Sequence, residues 1–469
     1  MIDFLTLCGF EAAEAESELP RIKRAFTKLG IAPEDIERGK QRLTTYFDME
    51  LKGVRKLLRL ALRDLVNSVL AREDGKKKVL FGFMAPGFEL VSSILVSRSH
   101  EVHAAHQAWS LLLMMGSVFG KMVPVLEAAE HKWLKAGTVA HCNNVKSILG
   151  LFTLDMLPKP DLLVTTGFSC ETAPKTINLL DELYDIPGFC YDTCQDRSFK
   201  DYEVDSERTI GLVVKSTRKL VERVQEIVGF ELTDDMFQEM LDARAELDNA
   251  VGALRHLIEN SDPLAISAPH ENLLMVLYNL TLGIDDGLPQ AIDAITTLHE
   301  ELQERVDKGV GVVEQGAPRI LSLLPAHHSD PRLDHLVGEM GMAIVACDPG
   351  FMVPYPGSPK DPYAVMSLHL QGSLATSLAR RVRLIIEGCK KLKIDGLLNR
   401  YHVGCRAVAG DPLIIADAVG KELGSPVLTL EWENFDPRVY NHEQYKRRLE
   451  LFKVMLSSRT ERRRSRVSS

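Results

Sequence analysis

Short apolar runs that alternate with helix-like segments constrain the fold of this chain more than any other feature of its sequence. In chain order the runs are "KKKVLFGFM", "AGTVAHC", "PDLLVTTGF", "IPGFCYDT", "PRILSLLPAH", "GMAIVACDPG", "IDGLLNRYHVGC" and "SPVLTLEWEN". Runs of this length, bounded by turn residues, are typical of strands whose two faces are both covered by helices. The alternation therefore predicts an α/β fold built on parallel sheets.

Stretches that lack these runs divide the chain into domains. The first stretch is helical in pattern, as in "MELKGVRKLLRLALRDLVNSVL", where apolar residues recur every three or four positions. We predict an N-terminal helical segment, a first α/β domain, a helical connector, a second α/β domain and a disordered basic tail. These cover residues 1–75, 76–204, 205–312, 313–456 and 457–469, in that order.

The charge of the chain argues against nucleic acid as a partner. Over 469 residues the net charge is −9 and the pI is about 5.9, and only the tail "RTERRRSRVSS" is strongly basic. A content of 45% hydrophobic and 26% charged residues is ordinary for globular domains. A chain of this length exceeds one ordinary core, which agrees with the division into several domains.

The N-terminal sequence predicts a cytoplasmic protein without a membrane span. "MIDFLTLCGFEAAEAESELP" turns acidic early and lacks the basic start and long apolar core of a signal peptide. The most apolar stretch, "AWSLLLMMGSVFGKMVPVL", is interrupted by Gly116, Lys121 and Pro124, so we predict a buried helix there. In the cytoplasm we expect the eight cysteines to be thiols or metal ligands rather than disulfides.

Several familiar site motifs are incomplete in this sequence. "GSVFGKM" is one residue short of a phosphate loop, and Met122 stands where that motif needs a hydroxyl group. Neither Gly-x-Gly-x-x-Gly after a predicted strand nor Gly-x-Ser-x-Gly occurs. The histidines of "HEVHAAH" lack the spacing of zinc proteases, and we interpret them as the polar face of a helix. Cys190 and Cys194 supply at most half of a metal site.

Three cysteines follow predicted strands, at the edge where parallel sheets bind ligands. Cys142 follows "AGTVAH", Cys170 follows "LLVTTGFS" and Cys405 follows "IDGLLNRYHVG". Ligands of parallel α/β sheets collect beyond the carboxyl ends of the strands, and helix amides there favour a thiolate. The three thiols are therefore either ligands of one metal centre or small apolar side chains in the cores. Their spacing matches no known metal motif and leaves both interpretations open.

Four segments, in order along the chain, resemble the 2-hydroxyacyl-CoA dehydratase and benzoyl-CoA reductase family. The most specific is "HCNNVKSILGLFTLDMLPKPDLLVTTGFSCETAPKTINLLDELYDIP", which combines Cys-x-x-x-Lys-x-x-x-Gly, a Pro-Lys-Pro-Asp strand and a second cysteine before a helix. The others are "DPLAISAPHENLLMVLY", "IDGLLNRYHVGCRAVAGDPLIIADAVGKELGSPVLTLEWE" and "RRLELF". The resemblance extends from about Val79 to Phe452, which is most of the chain.

This resemblance implies a fold and a cofactor. In the family, two Rossmann-like parallel-sheet domains face each other across a cleft and hold an iron–sulfur cluster through three cysteines. By position these cysteines are Cys142, Cys170 and Cys405 here. A 4Fe–4S cluster normally takes four thiolates, so three leave one iron open to substrate, water or a bridging sulfide. An open position is typical of a catalytic centre rather than a sealed electron carrier.

The resemblance also implies the chemistry and the partners. Family members perform low-potential one-electron reduction of an acyl-CoA thioester, through a ketyl radical in the dehydratases and on the aromatic ring in the benzoyl-CoA reductases. A separate ATP-hydrolysing iron–sulfur activator delivers the electron, and the subunit pairs with a sister subunit or with a second copy of itself. His402, shortly before Cys405, is a candidate catalytic proton donor, and a structural role is its alternative.

Other functions are compatible with the same residues. One is a double-cubane reductase of small molecules, which also uses three cysteines per cubane and forms homodimers. Another is a subunit that only relays electrons, and a third is a cluster-free α/β binding protein. Cys190, Cys194 and Cys347 have no counterpart in the family's motifs, and "FMAPGFELVSSI" matches them only in part. The acyl group, dehydration versus ring reduction, and the oligomer all stay open at this point.

Overall fold

The computed structural model describes most of the chain. The described residues are 1–85, 87–106, 109–134, 142–167, 172–191, 207–268, 284, 286–323, 330–347, 361–364, 378–402, 404–405 and 410–467. Within them lie two four-stranded sheets, and all the strand pairs are parallel. Helices surround both sheets, so the predicted α/β fold with two Rossmann-like domains is confirmed.

The first sheet has the strand order β2-β1-β3-β4. Its strands, in chain order, are β1 Lys78–Phe83, β2 Val102–His106, β3 Leu162–Thr165 and β4 Gly188–Cys190. The runs "KKKVLFGFM", "PDLLVTTGF" and "IPGFCYDT" therefore contain strands, as predicted. The run "AGTVAHC" falls mainly on residues 135–141, which lie outside the described residues.

Strand β2 corrects one prediction, because "HEVHAAH" is not the polar face of a helix. His103 and His106 are both buried in this strand. The side-chain oxygen of Ser68 lies 3.2 Å from Nε2 of His103, and Nε2 of His106 accepts a hydrogen bond from the backbone N–H of Ala85 at 3.2 Å. Burial lowers the pKa of His103 to about 3 and that of His106 to about 4, so both rings are neutral, as a buried strand requires.

The second sheet repeats this arrangement with the order β6-β5-β7-β8. Its strands are β5 Arg319–Leu323, β6 Ala343–Cys347, β7 Gly396–Tyr401 and β8 Val427–Glu431, one in each of the four apolar runs predicted for this half. In both sheets the chain order reverses beside the first strand, between β1 and β3 and between β5 and β7. Such a switch point opens a crevice at the carboxyl edge of the sheet, where ligands of α/β proteins bind.

Apart from the C-terminal part of the last helix, the α-helices of the described residues occupy stretches with a helix-like sequence pattern. In the N-terminal segment they are α1 Ile2–Leu7, α2 Ala12–Lys28, α3 Pro33–Tyr46 and α4 Lys52–Leu70. Those around the first sheet are α5 Phe88–Arg98, α6 Trp109–Leu112, α7 Met122–Ala129, α8 Asn143–Thr153 and α9 Thr172–Tyr184. The remainder are α10 Glu207–Val228, α11 Asp234–Asn260, α12 Gly287–Asp307, α13 Arg332–Glu339, α14 Leu378–Lys391, α15 Asp411–Leu423 and α16 His442–Val467.

The apolar stretch after α6 does not form one continuous helix. A π-helical segment, Leu113–Val118, follows α6, and a second, Glu130–Leu134, follows α7. In the described part of the chain, no single helix is long and apolar enough to cross a membrane. Ser110–Val118 and Met122–Trp133 reach the required length and apolar character only as a pair, and the pair is bent by 116°.

Helix α16 extends into the segment where the sequence analysis expected a disordered tail. Its backbone is helical to Val467. The segment "RTERRRSRV" contains neither glycine nor proline, and its arginine and glutamate residues favour helix. The charge pattern that suggested disorder is therefore equally compatible with an extended terminal helix. The domain boundaries stay predictions.

Apolar residues cover both faces of each sheet. In β1, Val79 and Phe81 belong to one buried cluster and Leu80 to another, so alternate side chains face opposite layers. In β7, Leu397 belongs to the same cluster as Val79, and Leu398 belongs to a third. One apolar cluster therefore contacts one face of both sheets, together with the N-terminal helices, and joins the two α/β halves.

The N-terminal segment and the connector pack through a close helix crossing. A Cβ atom on Gly53 of α4 would lie 2.4 Å from Cβ of Leu298 in α12, so only glycine permits this approach. The carboxylate of Glu301 accepts hydrogen bonds from the backbone N–H groups of Lys52 and Gly53, each at 2.9 Å. These contacts satisfy donors at the start of α4 and fix it against α12.

Asp64 is an acidic residue inside this helical layer. It lies on α4 and is buried, and Ser110 donates a hydrogen bond to its Oδ2 atom. Desolvation raises the pKa of this carboxyl to about 7 from 3.8, although the hydrogen bond acts in the opposite direction. The folded state therefore holds a proton that the unfolded state releases between about pH 4 and pH 7. Stability falls as the pH rises through this range.

Asp64→Asn is expected to stabilise the protein at high pH, because the amide cannot ionise. At pH 8 we expect the variant to exceed the wild type in free energy of unfolding by on the order of a few kcal/mol. The advantage should disappear towards pH 4, where Asp64 is protonated in the folded state and largely so in the unfolded state. Denaturant unfolding of both proteins over this pH series measures the difference, and an advantage independent of pH would contradict the assignment.

Candidate functional site

Cys142 lies at the start of a helix rather than at the end of a described strand. It is the N-cap residue of α8, and its side chain is almost completely buried. Its backbone oxygen accepts a hydrogen bond from the backbone N–H of Lys146 at 3.1 Å, which closes the first helical turn. The positive end of a helix dipole favours a thiolate over a thiol, so this position suits a sulfur ligand.

The rest of α8 explains the spacing of the Cys-x-x-x-Lys-x-x-x-Gly segment. Cys142, Lys146 and Gly150 are four residues apart and lie along one face of the helix. Nζ of Lys146 lies 3.2 Å from Oε1 of Glu130, at the end of α7. A Cβ on Gly150 would lie only 1.9 Å from the backbone oxygen of Val125. The lysine and the glycine therefore hold α8 against the α7 region, and this contact positions the cysteine.

Cys405 lies just beyond the carboxyl end of β7, where the sequence predicted it. Strand β7 ends at Tyr401, His402 is buried, and Cys405 is half-buried. The backbone N–H of Cys405 donates to the backbone oxygen of His402 at 3.3 Å, so the chain turns tightly between these residues. Since β7 is an interior strand of its sheet, the turn lies at the central part of the carboxyl edge.

One carboxylate brings the Cys142 and Cys405 segments together. Glu433 follows β8, and its Oε2 atom accepts a hydrogen bond from Nδ2 of Asn143 at 3.0 Å. Its Oε1 atom accepts from the backbone N–H of Gly404 at 3.2 Å. Asn143 is the next residue after Cys142, and Gly404 directly precedes Cys405. The two cysteine-bearing turns, from different halves of the chain, therefore lie on either side of one side chain.

His402 contacts the same carboxylate. Its Nδ1 atom lies 2.7 Å from Oε2 of Glu433, close enough for an ion pair but not aligned for a hydrogen bond. Among the described residues, neither ring nitrogen of His402 has a hydrogen-bond partner, although the side chain is only 1% exposed. A buried imidazole with an unsatisfied Nε2 atom has capacity to bind a further polar group.

A second polar bridge joins the two halves beside the cysteines. Arg438 donates to both oxygens of Glu130, at 3.0 and 2.9 Å, and also pairs with Asp436 at 2.7 Å. These hydrogen bonds from Arg438, with a smaller contribution from Lys146, lower the pKa of Glu130. The paired carboxylates raise the pKa of Arg438. Glu130 and Arg438 are therefore both charged at neutral pH.

The third predicted ligand, Cys170, lies outside the described residues, as does Cys194. Within the described ranges, no group of three or more His, Cys, Asp or Glu side chains is arranged to hold a metal ion. Cys190 and Cys347 end the edge strands β4 and β6. The structure thus brings the Cys142 and Cys405 segments together, and the three-cysteine set stays a prediction.

The comparisons with known proteins agree with this architecture. The sequence model of the family described as "2-hydroxyglutaryl-CoA dehydratase, D-component" matches residues 105–456. The chain belongs to this family. It is 22% identical over 326 residues to a benzoyl-CoA reductase subunit of Thauera aromatica, covering 65% of this chain and 72% of the relative. It is 21% identical over 299 residues to the alpha subunit of (R)-2-hydroxyglutaryl-CoA dehydratase of Acidaminococcus fermentans, covering 63% of this chain and 60% of the relative.

The sequence analysis missed the charged residues of the two bridges. Glu433 and Arg438 lie in "EWENFDPR", directly after the last strand of the second sheet. A polar cluster at the carboxyl end of a parallel strand is the signal that points to such a site. Glu130 gives no comparable signal, because the sequence around it has only a helical pattern and its partner is far away in sequence.

Gly150→Ala is expected to destabilise the protein by about 1–3 kcal/mol, because a Cβ at this position overlaps the Val125 carbonyl and forces α8 away from α7. Gly252→Ala in α11 is a matched control: no atom lies within 4 Å of its Cβ position, and alanine favours helix there. Thermal and denaturant unfolding measure both effects. Equal stability of the two variants would contradict the close approach of α8 to α7.

Proposed function

We propose that this chain is an iron–sulfur subunit of an activator-dependent 2-hydroxyacyl-CoA dehydratase or benzoyl-CoA-type reductase. The proposed cluster ligands are Cys142, Cys170 and Cys405. The observation that carries the proposal is the contact of Glu433 with Asn143 and Gly404, the neighbours of two of these cysteines. Membership of the dehydratase component family supports the reaction class.

The chemistry of the described residues fits such a cluster. Thiolates are the usual protein ligands of iron–sulfur clusters, and Cys142 at a helix N-terminus favours the thiolate form. Cys405 is half-buried, in a turn at the central carboxyl edge of the second sheet. In sequence, Cys170 follows β3, the neighbour of β1 at the switch point of the first sheet. When bound, a 4Fe–4S cluster with three thiolate ligands would supply low-potential one-electron reduction at an open iron position.

The chain's own residues would provide a dry pocket and a proton site. Asn143 and His402 are almost completely buried, so they would limit access of bulk water to the contact with Glu433. His402 would hold a proton at Nε2 for the oxygen of a bound thioester or of its hydroxyl group, since that atom has no hydrogen-bond partner among the described residues.

Acyl-CoA is the proposed substrate, and an ATP-hydrolysing iron–sulfur protein is the proposed electron donor. Both named relatives are subunits of larger enzymes, which supports a sister subunit as a partner. Turnover assays with an activator and a set of hydroxyacyl and aromatic thioesters would identify the acyl group and separate dehydration from ring reduction. Absence of turnover with a fully loaded cluster would indicate an electron-relay subunit.

Cys170→Ala is expected to remove most of the iron while leaving the fold intact. After anaerobic purification, the wild type should contain about four irons per chain for a single cubane and about eight for a double cubane. Cys8→Ala is the control, because Cys8 is buried among the N-terminal helices and should not affect iron. Iron analysis and the visible absorption spectrum measure the result. Wild-type iron content in the Cys170 variant would refute the ligand assignment.

A further inference from the structure

Glu433 is placed rigidly at the junction between the two halves. The backbone N–H of the preceding residue, Trp432, donates to the backbone oxygen of Tyr401 at 2.8 Å, which extends the pairing of β8 with β7. The Trp432 ring is buried and packs against Tyr440 and Tyr445. These contacts fix the backbone of Glu433 beside the end of β7, where the Cys405 turn begins.

Glu433 hydrogen-bonds to the two segments that contain the proposed ligands Cys142 and Cys405. Asn143 is 2% exposed, so its hydrogen bond to Glu433 lies away from bulk water, where polar contacts are stronger. The second hydrogen bond comes from the backbone N–H of Gly404, so it holds the backbone of the Cys405 turn itself. Loss of the carboxylate would leave both donors, and the His402 ring, without this partner.

A second bridge joins the same two halves, so the loss of Glu433 can be studied without separating the halves. Glu130 and Arg438 join the same two halves through a bidentate pair, and a shared apolar cluster contacts both sheets. Removal of Glu433 should therefore leave the halves associated. Its effect should be confined to the Cys142 and Cys405 turns.

We propose that Glu433 is a positioning residue, which holds the Cys142 and Cys405 turns at the separation needed to share one cluster and places a negative charge beside it. This inference rests on the proposed cluster function. Groups that hydrogen-bond around metal ligands orient those ligands, and their loss typically costs about 10–100-fold in metal affinity. A nearby negative charge also makes a cluster harder to reduce, since cluster potentials depend on local charge.

Two substitutions separate position from charge. Glu433→Ala removes both hydrogen bonds and the charge. In Glu433→Gln the side-chain oxygen can still accept from the Gly404 amide. A rotation of the Asn143 amide by 180° then brings Oδ1 of Asn143, which has no hydrogen-bond partner among the described residues, to the NH₂ group of the glutamine, which donates to it. Glu431→Ala is the matched control, because Glu431 ends β8 and its side chain is exposed.

We expect Glu433→Ala to lose iron to a chelator roughly 10-fold or more faster than the wild type. Glu433→Gln should retain iron but show a more positive midpoint potential in an anaerobic redox titration followed by electron paramagnetic resonance. Glu431→Ala should match the wild type in both measurements. Wild-type iron loss in the alanine variant, or an unchanged potential in the glutamine variant, would overturn the proposal.

Hydrogen exchange of the iron-free protein tests the position independently of the cluster. In Glu433→Ala the amides around Asn143 and Gly404 should exchange faster than in the wild type and in Glu431→Ala. If the wild type binds no iron, the proposed function fails, and this exchange difference still decides whether Glu433 holds the two turns. If Glu433→Ala does not fold, the exchange and potential of Glu433→Gln decide the inference, and wild-type values for both would overturn it.

Discussion

Burial of both faces of two parallel sheets is the constraint on which the rest of this structure depends. A parallel sheet needs helices on each side, and here alternate residues of β1 and β7 contact different apolar clusters. Once both faces are covered, only the edges of the sheets are accessible. The carboxyl edges, where the strand order reverses, are therefore the places where polar side chains can gather.

In the described part of the two α/β halves, polar contacts join them near Cys142 and Cys405, and one apolar cluster also contacts both sheets. Glu433 and Glu130 each contact residues from the opposite half, and both lie next to segments that contain Cys142 or Cys405. Charged groups near an interior are costly unless they are paired and hydrogen-bonded, and these two carboxylates are. Such contacts contribute less to stability than to the geometry of the groups they join.

The sequence predicted the sheets well because strands buried on both faces leave a strong local pattern. All four runs of the second half contain strands, and three runs of the first half do. Strand β2 was missed because two of its five residues are histidines, whose polarity suggested solvent. In the structure, burial keeps His103 and His106 neutral, and Ser68 and the Ala85 amide contact their ring nitrogens. The partners of the bridging residues could not be predicted, because paired residues such as Asn143 and Glu433 are remote in sequence.

Helix α8 connects a close backbone contact to the sulfur atom of a cysteine. Gly150, towards the C-terminal end of the helix, touches the Val125 carbonyl, and Cys142 lies at the N-terminal end. Eight residues of helix span about 12 Å, so a tilt of about 5° around the glycine would move the cysteine by about 1 Å. Such a displacement is large compared with the tolerance of the metal–sulfur bond proposed for Cys142. The smallest side chain in the helix thus sets the accuracy of a thiol two turns away.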